Sequence, residues 1–104
     1  MKRFDLTEEE LKELTAKHKY LKVAVVQDGD ASFEALFKDP TENTIKACNA
    51  MEKKGDDTGS VNVLYEDCVI AADQEIKDNY IYRTQVAKLI ATRLTEVKAS
   101  VKNY

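Results

Sequence analysis

The chain has 104 residues, of which 43% are hydrophobic and 34% are charged. A core usually needs on the order of 100 residues, so this length indicates one domain over residues 1–104, and the apolar content is too high for a disordered tail. Three glycines, one proline and no apolar run near the roughly 20 residues that a bilayer requires exclude collagenous and membrane-spanning chains.

The formal net charge is −3, from 16 basic and 19 acidic residues, which argues against sequence-independent binding to nucleic acid. The charge is unevenly distributed along the chain. The middle of the chain is acidic, with five basic and eight acidic residues over 21–57 and one basic and five acidic over 58–82, whereas residues 83–104 carry five basic and one acidic. We therefore expect the basic last segment either to pack against the acidic middle of its own chain or to meet an acidic partner.

Residues 7–18 are predicted to form a short helix on the surface. Thr7 followed by Glu10 is a capping box, and Leu11 and Leu14 give the helix an apolar side. The first ten residues start basic but then become acidic instead of forming an apolar run, so no secretory signal is expected. A reducing cytoplasm is the expected compartment.

Residues 20–38 are predicted to form a β-hairpin, because alternating and β-branched residues flank a turn at Asp28-Gly29-Asp30. A two-residue loop would mix polar and apolar side chains on each face. A three-residue loop gives one apolar face, formed by Leu21, Val23 and Val25 beside Phe33, Ala35 and Phe37. Since a slip of one residue moves every side chain to the other face, we predict the three-residue loop, with helices covering this face.

Two helices are predicted next, over residues 40–54 and 60–72. The first begins at an Asp39-Pro40 N-cap, where proline occupies the first helical position. The second has an apolar stripe at helical spacing, while Val63 and Ile70 fall on the opposite side. This helix is therefore either buried on both sides or uses Val63 and Ile70 to face a partner.

A long last helix is predicted over residues 80–102. It carries an apolar seam at the a/d spacing of a coiled coil, formed by Ile90, Leu94, Val97, Val101 and Tyr104. Three lysines, Lys88, Lys98 and Lys102, fall within one angular sector, or wedge, of the surface of the same helix. The seam either packs within the chain or mediates self-association. Together the elements predict an α+β fold with a short N-terminal helix, one β-hairpin and three further α-helices, the last of them long.

No residue pattern indicates catalysis. His18 is the only histidine, and Cys48 and Cys68 both occupy apolar helical positions, so neither a Cys–His pair nor a zinc site is expected. Phosphate-binding loops and the serine-hydrolase motif have no support in the sequence. We therefore expect no catalytic residue, no metal and no cofactor.

Three short stretches follow one another in a characteristic order: Phe37-Lys38-Asp39-Pro40, Leu64-Tyr65-Glu66-Asp67-Cys68-Val69 and Asp73-Gln74-Glu75-Ile76-Lys77. With the hairpin and the closing helix, this order resembles the tail assembly chaperone group of tailed bacteriophages and prophages over roughly residues 20–100. The chain departs from that group in two ways, because Val69 stands where an aromatic residue is expected and the last helix is more basic. The resemblance implies a non-enzymatic protein that coats the tape-measure protein, or binds another tail protein, during assembly.

Two other functions are compatible with the sequence. The chain could be a structural component of the virion, associated with the tail or capsid, or a small cytoplasmic regulator or enzyme. In each protein-binding alternative the partner is a protein or a second copy of the chain, and not nucleic acid or a membrane. The candidate binding residues are Val63, Ile70, Lys88, Ile90, Leu94, Val97, Lys98, Val101 and Lys102.

Overall fold

The computed structural model describes residues 6–18 and 21–104. In this part of the chain the elements are α1 (Glu8–Lys17), β1 (Lys22–Asp28), β2 (Ala31–Phe37), α2 (Glu42–Lys53), α3 (Asp57–Cys68), β3 (Val69–Ala72), α4 (Gln74–Asp78) and α5 (Tyr80–Glu96). The three strands form one antiparallel sheet in the order β1-β2-β3. The predicted α+β fold, with its hairpin and long last helix, is confirmed.

One face of the sheet, called here the inner face, carries the main core. Helices α3, α4 and α5 contribute apolar side chains to it. Its buried residues are Ala24, Val26, Ala35, Phe37, Cys68, Ala72, Ile76, Val86 and Ile90. Burial of this apolar surface is the principal term that stabilises the sheet and helices together.

The opposite, outer face has a thinner cover. Leu36 and Ala71 are buried there, and three partly buried leucines pack against them, Leu6, Leu11 and Leu21. Leu11 comes from α1, which begins at the predicted capping box, since the Glu10 N–H donates to Thr7 Oγ1 at 3.1 Å. None of the residues of α1 is itself buried.

The hairpin has a two-residue loop, Gly29-Asp30, and the predicted three-residue loop was wrong. Val23 lies opposite Leu36 and Val26 lies opposite Phe33, so Leu21, Val23 and Val25 do not share a face with Phe33, Ala35 and Phe37. Gly29 has φ +60°, which suits a tight hairpin turn. The prediction assumed that helices cover one face only, whereas both faces bury apolar residues. Residue 20, the predicted start of this hairpin, lies outside the described residues.

Helix α2 begins two residues later than predicted. Its N-cap is Thr41, whose Oγ1 accepts a hydrogen bond from the Thr44 N–H at 3.3 Å, and not Asp39. The Asp39 carboxylate is instead bound by Arg93. The helix ends at Lys53 rather than Lys54, and Gly55 follows with φ +73°. A side chain that resembles a cap in sequence is thus used for a contact between distant elements.

The helix predicted over residues 60–72 was wrong at both ends. α3 begins at Asp57, after an Asp56 N-cap that accepts from the Gly59 N–H at 2.8 Å, and it ends at Cys68. The next four residues form β3, which pairs with β2 so that Ala72 lies opposite Ala35. The edge of β2 offers ladder hydrogen bonds to a short apolar, partly β-branched segment, and helical spacing alone does not reveal that alternative.

The last helix ends at Glu96 and not at residue 102. Residues 97–104 have no regular structure and are exposed, and Val97 has an extended backbone with φ −81° and ψ 124°. Most helical stability in proteins comes from packing of an apolar face against neighbouring elements. Val97 and Val101 find no such packing, so the a/d spacing does not extend the helix.

Candidate protein-binding surface

The predicted a/d seam does not exist as one surface. Ile90 has 0% exposure and packs in the inner core with Ile76 and Val86, so it cannot contact a partner. Leu94 is exposed on the next turn of α5, and Val97 and Val101 lie beyond the end of the helix. Of the two alternatives for the seam, packing within the chain therefore holds for Ile90, and the a/d residues do not form one coiled-coil surface.

Val63 and Ile70 do not form a pair on one helix either. Val63 belongs to α3, whereas Ile70 belongs to β3, and both are half-buried. Ile70 lines a hollow of about 420 Å³ with Leu6, Tyr65 and Lys77 among its other walls. The apolar pair predicted seven residues apart is divided because the helix ends between its two members.

The three lysines do not share a helical wedge. Lys88 is exposed on α5, whereas Lys98 and Lys102 are exposed in the segment after the helix. The basic residues of the C-terminal segment are therefore divided between α5, which carries Arg83, Lys88 and Arg93, and the exposed segment after it, which carries Lys98 and Lys102.

Two of the predicted binding residues do lie together. Leu94 and Val97 are 62% and 67% exposed, and they line a shallow hollow of about 280 Å³ with Asp39, Pro40 and Arg93. We call these five residues the C-terminal corner. It joins the end of α5 to the segment that leads into α2.

Arg93 holds the C-terminal corner in place. Its Nε lies 2.7 Å from Asp39 Oδ1 and its Nη2 lies 3.2 Å from Asp39 Oδ2, while its Nη1 lies 2.7 Å from Glu96 Oε2. Such two-pronged contacts fix geometry as well as charge. The hydrogen bonds from Arg93 lower the pKa of the Asp39 carboxyl and of the Glu96 carboxyl below their ordinary values. One contact between the basic last segment and the acidic middle of the chain is thus present.

This ion pair predicts acid sensitivity. The pKa of Asp39 is lower in the folded protein than its ordinary value of about 3.9, so the pair stabilises the fold above that value and is lost as the pH falls through the lowered pKa. Between about pH 5 and pH 2, we expect the free energy of urea unfolding to fall more steeply for the parent than for Asp39→Asn.

A matched control is Glu42→Gln. Glu42 has an exposed carboxylate in the first turn of α2, and its Oε1 lies 3.4 Å from Lys46 Nζ. This variant should keep the pH dependence of the parent, because exposed pairs contribute little. If Asp39→Asn also kept the parent's pH dependence, the role assigned to the Arg93–Asp39 pair would be wrong.

The two cysteines occupy interior positions. Cys48 and Cys68 are unpaired and buried, as their apolar helical positions predicted. Burial raises the pKa of both thiols, that of Cys68 to about 11. His18 ends α1, which packs on the outer face, whereas Cys68 lies in the inner core. Within residues 6–18 and 21–104, no group of three or more His, Cys, Asp or Glu side chains could hold a metal ion.

A second surface was not predicted from the sequence patterns. Beside β1 lies an open groove of about 320 Å³, called here the β1 groove, lined by Val25, Val26, Gln27, Gln85, Lys88, Leu89 and Thr92. Tyr82 ties α5 to the hairpin at one end, since its hydroxyl donates to Asp28 Oδ2 at 2.6 Å and its ring lies 5.4 Å from that of Phe33. Because Asp28 and Tyr82 are 54 residues apart, no local pattern predicts this contact.

Comparison with protein-family models, curated proteins and solved structures gives no match to this chain. Among the helices in the described part of the chain, none is long and apolar enough to cross a membrane.

Proposed function

We propose that this chain is a non-enzymatic protein-binding protein of a tailed bacteriophage, a tail assembly chaperone that binds the tape-measure protein in the cytoplasm of the bacterial host. The observation that carries the proposal is the C-terminal corner. It presents exposed apolar side chains at a place where the backbone is held by ion pairs.

The C-terminal corner has the composition of a binding surface. Leu94 and Val97 are exposed together, and Val101 follows in the exposed segment. Exposed apolar groups that cluster, with polar residues at their rim, are typical of protein–protein contact sites. Lys98 and Lys102 follow in the same exposed segment and give it positive charge. A helix of a partner with an apolar stripe and acidic flanks fits this arrangement.

The resemblance and the surface involve some of the same residues. Phe37-Lys38-Asp39-Pro40 is one of the stretches that resemble the tail assembly chaperone group. Pro40 lines the C-terminal corner, and Asp39 binds the arginine that holds it. The resemblance supplies the class of partner, and the corner supplies a place for that partner to bind.

The non-enzymatic part of the proposal is supported by the state of the thiols. A nucleophilic cysteine needs a lowered pKa and access to solvent. Cys48 and Cys68 have raised pKa values and are buried, so neither is suited to attack a substrate.

The test is co-expression with the tape-measure protein encoded in the same genome. We expect the two proteins to co-purify, and we expect Leu94→Asp combined with Val97→Asp to lower the recovered tape-measure protein by about tenfold, because each change places a charge in an apolar contact. Ile81→Asp is the matched control. Ile81 lies at the other end of α5 and is 67% exposed, so its replacement should leave recovery unchanged.

Two outcomes would overturn the proposal. Equal recovery with the double variant and with the Ile81→Asp control would show that the C-terminal corner is not the binding surface. Stoichiometric amounts of the chain in purified virions, measured by mass spectrometry, would show that it is a structural component rather than a chaperone.

A further inference from the structure

β1 is an edge strand of the sheet. Among residues 6–18 and 21–104 it pairs with β2 alone, in the strand order β1-β2-β3, and it extends over seven residues, Lys22–Asp28. A strand edge of this length is a template for pairing with another strand. Natural proteins often protect such an edge with charges along the strand, but here the five central residues, 23–27, are uncharged.

The hydrogen bonds of β2 show which backbone N–H and C=O groups of β1 point away from β2. The Glu34 N–H donates to Asp73 Oδ2 at 2.7 Å, and the Glu34 carbonyl accepts from the Asp73 N–H at 2.9 Å, so both backbone groups of Glu34 point away from β1. Val25 lies opposite Glu34. Since hydrogen-bonded and non-hydrogen-bonded pairs alternate in an antiparallel ladder, the N–H and C=O of Val23, Val25 and Gln27 point to the free edge.

The outward-pointing residues match a second copy of the same strand. When two β1 strands pair in antiparallel orientation about Val25, Val25 lies opposite Val25 and Val23 lies opposite Gln27. All the outward-pointing backbone groups of these three residues then meet partners. In this register the pairing is symmetric about Val25, the central residue of β1.

The charges at the ends of β1 fit the same register. Lys22 of one copy lies opposite Asp28 of the other, and this occurs twice across the two-fold axis. These are non-hydrogen-bonded pairs, at which cross-strand side chains approach most closely. Tyr82 already holds the Asp28 carboxylate through Oδ2, which places its charge at the end of the strand.

The β1 groove is also closed by this pairing. A two-fold axis perpendicular to the sheet keeps the inner faces of both copies on the same side, so the two α5 helices flank the axis. The partly exposed Leu89 of each copy then lies over the junction of the sheets. On the outer face Val25, which is 55% exposed, lies beside Val25 of the other copy.

We propose that β1 is the interface through which two copies of this chain associate, in antiparallel register about Val25, with a Lys22–Asp28 pair at each end. The sheet then continues through both copies. This interface replaces the a/d seam as the surface for self-association. It does not depend on the proposed chaperone function.

The first test is Val25→Pro. The Val25 N–H makes no bond in the β1–β2 ladder, and proline is tolerated on an edge strand where the N–H faces solvent. We expect the parent to be a dimer in light scattering at high concentration and the variant to associate about tenfold more weakly, because two hydrogen bonds across the axis are lost. Circular dichroism establishes that the variant is folded. Leu94→Asp is the control and should stay dimeric.

The second test leaves the backbone unchanged. Lys22→Asp alone and Asp28→Lys alone each place like charges opposite one another, so each variant should associate about fivefold more weakly than the parent. An equimolar mixture of the two variants restores opposite charges at both ends. We expect native mass spectrometry to show mixed dimers well above the proportion that random pairing of the two variants gives.

Three results would overturn the interface. The parent could be monomeric at high concentration. Leu94→Asp could abolish a dimer that Val25→Pro leaves intact, which would assign association to the C-terminal corner. The mixture of charge variants could show no preference for mixed dimers, which would mean that Lys22 and Asp28 do not meet.

Discussion

Replacing Ile90 by alanine is expected to lower the free energy of unfolding by about 2–5 kcal/mol. Ile90 has 0% exposure and packs in the inner core with Ile76, Val86 and Cys68. The change removes buried apolar surface and leaves a cavity that the close-packed surroundings fill only in part. Domains of this size are stabilised by about 5–15 kcal/mol in total, so the loss is a large fraction of the whole.

Ile81→Ala makes the same chemical change on the same helix. Ile81 is 67% exposed, so its replacement should alter the free energy of unfolding by no more than about 0.5 kcal/mol. Urea unfolding followed by circular dichroism measures both. If the two variants were equally stable, α5 would not be docked through Ile90, and the assignment of the inner core would be wrong.

Cys68 is expected to react with a thiol reagent at pH 8 about a hundredfold more slowly in the folded protein than in the unfolded chain. Burial raises its pKa from an ordinary value near 9 to about 11. The reactive thiolate therefore falls from about a tenth of the population to about a thousandth at this pH. Exclusion of the reagent from the inner core slows the reaction further.

The measurement uses Cys48→Ala, which leaves Cys68 as the remaining thiol of the two in the chain. Its labelling is followed by mass spectrometry at pH 8, in buffer and in concentrated urea. The rate in buffer should rise about tenfold for each unit of pH below 11. Equal rates in the two conditions would place Cys68 at the surface and would reopen the question of thiol chemistry.

Features that depend on neighbouring residues could be predicted from the sequence. The capping box of Thr7 and Glu10 starts α1, and Gly55 follows the end of α2. Cys48 and Cys68 are buried at the apolar positions where helical spacing placed them. Each of these outcomes follows from side-chain and backbone chemistry within about one helical turn.

Features that depend on contacts between distant elements could not be predicted from the sequence. Residues 69–72 become a strand because β2 offers them a free edge, and the hairpin register places Ala24 and Val26 in the inner core while Val23 and Val25 stay exposed. The a/d spacing of Val97 and Val101 is a property of the sequence alone, but a helix persists where its apolar side is packed. In each case a local pattern was consistent with two structures, and a contact made elsewhere in the chain decided between them.

The candidate surface could be predicted only in part, because some of its residues come from distant parts of the chain. Leu94 and Val97 follow from apolar spacing near the end of the last helix. Asp39, Pro40 and Arg93 complete the C-terminal corner, and the Arg93–Asp39 contact spans 54 residues of sequence. Because Asp39 precedes Pro40 it was predicted to be a helix N-cap, and its ion pair with Arg93 was not predicted.

The thin cover of the outer face has a consequence for native-state fluctuations. α1 has no buried residue, and its leucine contact is with Leu36 and Ala71 rather than with the inner core. Its detachment breaks no hydrogen bond of the β1–β2–β3 ladder. We therefore expect the backbone amides of α1 to exchange with solvent through a low-energy local opening, whereas those of Ala35, Leu36 and Phe37, where β2 pairs with both β1 and β3, exchange only when the whole domain opens. The molecule behaves as one cooperative unit carrying a detachable helix.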